Sequence, residues 1–148
     1  MREYTTRRTG IIKAIVEALK SINGAGEFLS DLNENIYPTL KFWDEIEEFP
    51  AVHINAGAEA RVYQGGGYKD RFLAVTIRCY VQEEDAQEAV SKILEDIETV
   101  LEENSRLTYY DKRGAEQCTH QITILQIDTD EGVLEPLGIA EMQIEVQY

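Results

Sequence analysis

AEMQIEVQY (Ala140–Tyr148) alternates without a break: Ala140, Met142, Ile144, Val146 and Tyr148 are apolar or aromatic, and Glu141, Gln143, Glu145 and Gln147 between them are polar. Successive side chains of a strand point to opposite faces, so this stretch reads as a strand with one face in a core and one towards water or a partner. Such a strand needs companions with the same division. RFLAVTIRCYV (Arg71–Val81) supplies one, with Leu73, Val75, Ile77, Cys79 and Val81 on one face and Phe72, Ala74, Thr76, Arg78 and Tyr80 on the other. FPAVHINAG (Phe49–Gly57) reads as a further strand, and alternation resumes over Glu59–Tyr63 before QGGGY. A glycine run accepts positive φ readily, so these pieces make a hairpin arm. QITILQID (Gln121–Asp128) is a fourth strand, and TYYDKRGAEQ (Thr108–Gln117) reads as a loop or short hairpin around Lys112, Arg113 and Gly114.

Two stretches carry helical spacing instead. Ile11, Ile12, Ile15, Val16, Leu19 and Ile22 recur at that spacing within Thr9–Asn23, with Asn23 and Gly24 as a stop. Asp85 is placed to cap a second helix, whose apolar stripe is Ala89, Val90, Ile93, Leu94, Ile97, Val100 and Leu101 and whose end falls near Asn104. Its outer face, with Glu88, Glu95, Glu98 and Glu102, is acidic. Between the first helix and the first strand, Glu27–Glu48 has weak periodicity, and Pro38 forbids a long helix through it. It reads as an irregular connection that buries its aromatics, Trp43 among them. The sum is an α+β fold: a mainly antiparallel sheet of four or more strands, two helices packed on one face and a protruding β-hairpin arm. At 148 residues, one domain spanning 1–148 is expected.

Composition narrows the function classes. A formal net charge of −14 repels phosphate backbones at range, which argues against tight nucleic-acid binding. Uncharged stretches such as Phe49–Ala58 are far short of the roughly 20 apolar residues of a membrane span, and MREYTTRRTG lacks an apolar signal core, so neither insertion nor secretion is expected. Cys79 and Cys118 sit in no paired motif, which suggests reduced thiols in a cytosolic setting. The charge is uneven. Arg2, Arg7, Arg8, Lys13 and Lys20 outnumber Glu3 and Glu17 at the start, while Gln126–Tyr148 has acids and no base. This polarity suits head-to-tail contact between copies, although solubility alone accounts for it equally.

Candidate chemistry is sparse. DTDEG (Asp128–Gly132) fails as a helix-loop-helix calcium loop, because glycine comes one position early and the twelfth position is Ile139 where a glutamate is needed. Asp and Gly are also favoured in tight connections, so a turn or interaction loop accounts for it. Cys79, Cys118, His53 and His120 suffice by type for zinc, but lack the close ligand pairs of a structural site. No GxSxG elbow marks a nucleophile, and Gly65–Gly67 match no phosphate-cradling pattern. No cofactor is expected. The glycine tip is flanked by Tyr63, Tyr68, Lys69 and Arg71; tyrosine and arginine anchor interfaces, so an assembly contact is the sharper reading of the arm.

Three stretches carry a resemblance: KFWDEIEEFPAVHINAGAE (Lys41–Glu59), RFLAVTIRCYV leading into EEDAQEAVSKILEDIETVL, and TDEGVLEPLGIAEMQIEVQY at the end. Together they resemble the tail terminator, or tail completion, proteins of long-tailed bacteriophages, most of all those of siphophages with flexible tails. The resemblance implies a non-enzymatic assembly protein of the virion, made in the host cytoplasm. Six copies would form a ring that caps the tail tube, stops its polymerisation and presents the surface on which the head-completion or connector protein docks, with DNA passing through the centre. An acidic chain can line such a channel without gripping a polyanion. Glu141, Gln143 and Glu145 are then expected at the channel or an intersubunit face, and the Tyr63–Arg71 arm at a neighbour or the tube. Three rivals stand beside this reading: a head-side neck or connector component, a small metal-dependent hydrolase using Asp128, Asp130 and Glu131, and a ligand-binding module on the open sheet face.

Overall fold

The computed structural model describes residues 5–32, 34–39 and 42–148. Two helices lie against one face of a five-stranded sheet: α1 (Arg7–Leu19) and α2 (Ala86–Glu103), with strands β1 (Ile36–Tyr37), β2 (Ala51–Tyr63), β3 (Lys69–Gln82), β6 (Gln121–Thr129) and β7 (Leu137–Gln147). The strand order is β1-β2-β3-β7-β6, and β4 (Thr108–Tyr110) with β5 (Glu116–Cys118) makes a separate two-stranded hairpin. All pairings are antiparallel except β1 with β2. The α+β architecture read from the alternation of Ala140–Tyr148 and Phe72–Val81 is therefore the observed one.

The two strands with the cleanest alternation, β3 and β7, lie side by side at the sheet centre, paired from Phe72↔Gln147 to Gln82↔Leu137. Their apolar faces, Leu73, Val75, Ile77 and Cys79 on β3 and Ala140, Met142, Ile144 and Val146 on β7, are buried under the helices. From above come Ile11, Ile15 and Leu19 of α1 and Val90, Ile93, Ile97 and Leu101 of α2, so one continuous core joins all the layers. Each fully buried Leu or Ile contributes about 1.5–3 kcal/mol relative to exposure, and this layer is what holds the sheet flat against the helices.

The helix ends follow local chemistry. Thr6 caps α1 by accepting a hydrogen bond from the Thr9 N–H at 3.2 Å, and Asp85 caps α2 through the Glu88 N–H at 3.2 Å. The first helix stops at Leu19, earlier than the apolar spacing suggested. Ser21 and Ile22 bond back three residues, to Ala18 and Leu19, so the last turn tightens while Ile22 still reaches the core.

The Glu27–Glu48 connection is more ordered than expected. β1 adds a short parallel edge to β2, and Trp43–Glu45 forms one 3₁₀ turn. Asp96, a buried carboxylate on α2, accepts the main-chain N–H groups of Leu29 (3.0 Å) and Ser30 (2.7 Å) and tethers the start of the connection to the helix. The expectation that its aromatics are buried needs correction: Phe28 packs on the core, but Phe42 is 68% exposed because it precedes the 3₁₀ turn on the outside. The Trp43 side chain lies outside what the structure describes, as do Arg2, Glu3 and Lys41.

Gly138 fixes how closely the second helix approaches. A Cβ there would stand 2.7 Å from Val81 and 3.0 Å from Ala86, so only glycine lets β7 begin directly beneath the α2 N-terminus.

Candidate functional site

The DTDEG stretch is a turn built from its own side chains. Asp130 accepts the Leu134 N–H through its carboxylate (3.2 Å) and the Val133 N–H through its carbonyl (3.1 Å), while Glu131 takes positive φ at 57°. Asp128 lies on β6, where the Gln126 amide donates to it at 2.9 Å. Asp128 and Asp130 thus serve separate local bonds, Glu131 is exposed, and among the described residues no group of three His, Cys, Asp or Glu side chains is arranged to hold a metal. The hydrolase alternative is not supported. The zinc set disperses likewise: Cys79 is on the core face of β3, His53 is buried on the opposite face of β2 with Nδ1 2.9 Å from the Thr39 carbonyl, and Cys118 and His120 are exposed. Both cysteines are free, and burial pushes the Cys79 thiol up to about 12.

β2 and β3 run past the helices to form the arm, which turns at Gly65–Gly67 with Gly66 at φ 79°. Tyr63 and Tyr68 are 72% and 75% exposed at its end, and the Lys69 ammonium lies 5.9 Å from the centre of the Tyr63 ring. Arg71 is placed differently from the other three residues expected there. A register shift in β2 between Ala56 and Glu59 sets Glu59 opposite Leu73 and Arg61 opposite Arg71, so these side chains lie on the helix side of the sheet, at the base of the arm.

Around that base the fold gathers a cluster that no single stretch announces. Arg7 and Arg8 from the start of α1, Arg61 from β2, Arg71 from β3, and Lys112 with Arg113 from the β4–β5 turn line a cavity of 510 Å³, together with Thr6, Asp111 and Tyr148. The Tyr148 ring sits under Arg71, and its hydroxyl donates to Glu59, which also pairs with Arg61 at 2.7 Å. Burial, then the bond to the Glu59 carboxylate, pushes the Tyr148 hydroxyl up to about 12. Burial would also raise Glu59, but the bonds from Tyr148 and Arg61 outweigh it and hold that carboxyl below its ordinary value. Asp111 is likewise lowered, chiefly by the N–H groups of Ala115 and Arg113. Basic pairs at Arg7–Arg8 and Lys112–Arg113 are visible in the sequence, but their meeting is a product of α1 packing over the β4–β5 hairpin.

The sheet face away from the helices is polar along its centre. Arg78 pairs with Glu141 at 3.1 Å, Thr76 donates to Gln143 at 3.0 Å, and Gln143 donates in turn to Glu141. Glu141, Gln143 and Glu145 are each half-buried by their neighbours. Asp128 stands opposite Glu141 on the next strand, so the face is acidic with Arg78 as a central base.

An acidic, two-helix α+β domain with a protruding arm and two chemically distinct ends is matched along residues 5–148 by the family model described as the bacteriophage tail tube terminator protein. The chain belongs to that tail tube terminator family. It is a structural protein of a bacteriophage virion and a component of the tail. Among its relatives is the tail tube terminator protein p142 of Escherichia phage T5, 33% identical over 149 residues, covering 95% of this chain and 92% of that protein. Among solved structures, a chain from the virion of a native gene transfer agent particle aligns with a TM-score of 0.49 at 8% identity, over 91% of this terminator-family chain and 94% of the other.

Proposed function

We propose that this chain closes the head-proximal end of the tail tube as a ring of six copies, stops tube polymerisation there and presents the surface on which the head-completion protein docks. It acts by stoichiometric binding, without turnover, and is made in the host cytoplasm before joining the virion. The observation that carries this reading is the family match over nearly the whole chain, residues 5–148, joined to 33% identity with a named tail tube terminator.

The surfaces are compatible with it. A ring needs two different patches on each copy, and the fold separates a basic end from an acidic one. The exposed Tyr63 and Tyr68, with Lys69, give the arm the aromatic and cationic anchors of a contact with the tube or a neighbour, and Arg71 holds its base. Glu141, Gln143 and Glu145 would face the channel or an adjoining copy; an acidic sheet face gives DNA in transit no binding minimum.

The test is tube growth. Purified tail tube protein polymerised with increasing amounts of this chain should yield tubes that stop lengthening once their ends are occupied, with about one ring's worth of protein bound per end. Unchanged growth, with the chain bound instead to the head side, would support a neck or connector role.

A further inference from the structure

We propose that the basic cavity at the base of the arm receives the acidic Asp130–Glu135 loop of a second copy, and that this insertion is the head-to-tail contact between successive subunits. The inference rests on the ring reading above and names the surfaces that would build it.

Six of the 14 Lys and Arg residues line this one cavity, in a chain carrying 28 Asp and Glu. The local acids are already engaged: Asp111 by the N–H groups of Arg113 (2.9 Å) and Ala115 (3.0 Å), and Glu59 by Arg61 and Tyr148. Arg8 donates to the Gly57 carbonyl. Among the described residues, Arg7, Arg71, Lys112 and Arg113 have no carboxylate at ion-pairing distance. Like charges gathered on a concave wall focus a positive field and favour a carboxylate-bearing occupant. At 510 Å³ the space is within the range of about 300–1,000 Å³ seen for binding pockets.

The same molecule carries a fitting occupant at its other end. The Asp130–Glu135 loop has exposed carboxylates at Glu131 and Glu135 and an apolar tip at Val133, which is 82% exposed. It is held in shape by the Asp130 bonds to Val133 and Leu134 and by Glu135 N–H to Gly132 O at 3.3 Å. Glu83 donates its N–H to Pro136 O, which sets the exposed Glu83, Glu84 and Asp85 beside the loop and extends the acidic surface. In the cavity, the surrounding cations take Glu131 and Glu135.

The loop cannot reach its own cavity. β3 and β7 are paired from Phe72↔Gln147 at the cavity end to Gln82↔Leu137 at the loop end, and those ten steps span ~33 Å. The contact therefore joins copies, with different patches on its two sides, the kind of interface that closes into rings.

The test uses reversed charges. Arg7→Glu with Arg113→Glu makes a cavity variant, and Glu131→Lys with Glu135→Lys makes a loop variant. Each is checked for native circular dichroism and compared with wild type for rings at tail tube ends by negative-stain microscopy and co-sedimentation. Each variant alone should lose ring formation by about ten-fold or more. An equimolar mixture should regain wild-type levels, because every contact in an alternating ring then pairs opposite charges. Full assembly by either variant alone, or a mixture that stays inactive, overturns the proposal. So does a cavity variant that assembles normally but loses retention of short duplex DNA, which would make the cavity a nucleic-acid site. If wild type itself forms no rings, the ring reading fails first, an outcome separate from wild type assembling and the reversals having no effect.

Discussion

The Arg71 guanidinium lies 5.5 Å from the centre of the Tyr148 ring, and the two residues also exchange main-chain hydrogen bonds, Tyr148 N–H to Arg71 O at 2.9 Å and Arg71 N–H to Tyr148 O at 3.3 Å. This pair locks the end of the chain to the base of the arm, with the Tyr148 hydroxyl bonded to Glu59. Burial raises that hydroxyl from an ordinary 10.0 to about 12, so folding favours its neutral form. The stabilisation is fully present below about pH 10 and is lost as pH rises towards about 12. Denaturant unfolding across that window should show a decline that Tyr148→Phe reduces; the part that survives belongs to Cys79, Tyr80 and Tyr109, which burial also raises. An undiminished decline in the variant would remove Tyr148 from this role.

Gly138→Ala should destabilise the fold by about 1–3 kcal/mol, because the new methyl meets the branched Val81 side chain and the Ala86 methyl, neither of which can swing aside. Chemical denaturation measures it. A stability equal to wild type would mean that the helix lifts from the sheet without cost.

Asp96→Ala should cost about 2–3 kcal/mol, since it leaves the Leu29 and Ser30 N–H groups without their carboxylate acceptor. The adjacent exposed Glu95→Ala should change stability by no more than about 0.5 kcal/mol. Hydrogen exchange at Leu29 and Ser30 gives a second readout: protection there should fall in the Asp96 variant and stay in the Glu95 variant.

Tyr63→Ala with Tyr68→Ala should leave the fold within about 0.5 kcal/mol of wild type, as both rings stand clear of the core. Association with tail tubes should weaken markedly if the arm makes the contact assigned to it. Normal tails by electron microscopy, from a stably folded variant, would take the arm out of the interface.

The sheet was legible because its strands have one wet and one dry face. Alternation in Leu73–Val81 and Ala140–Tyr148 states which side meets the helices, and the Asp85 cap states where the second helix begins. Less was legible where bonds join distant residues. Nothing in Glu27–Glu48 signals that Asp96 holds Leu29 and Ser30, since that carboxylate reads as one more acid on a charged helix. The β2 bulge was hidden for a similar reason: one extra residue reverses which face Glu59 and Arg61 take, and an alternating pattern on each side of it looks the same either way. The basic cavity was out of reach because its walls come from α1, β2, β3 and the β4–β5 turn, brought together by packing alone.

The most direct measurement is electron microscopy of tail tubes mixed with the purified chain. The account predicts a single ring of density, six-fold when viewed along the tube, at one end of each tube and nowhere along its length. Chains decorating the tube wall, or tube ends left bare at saturating protein, would contradict it.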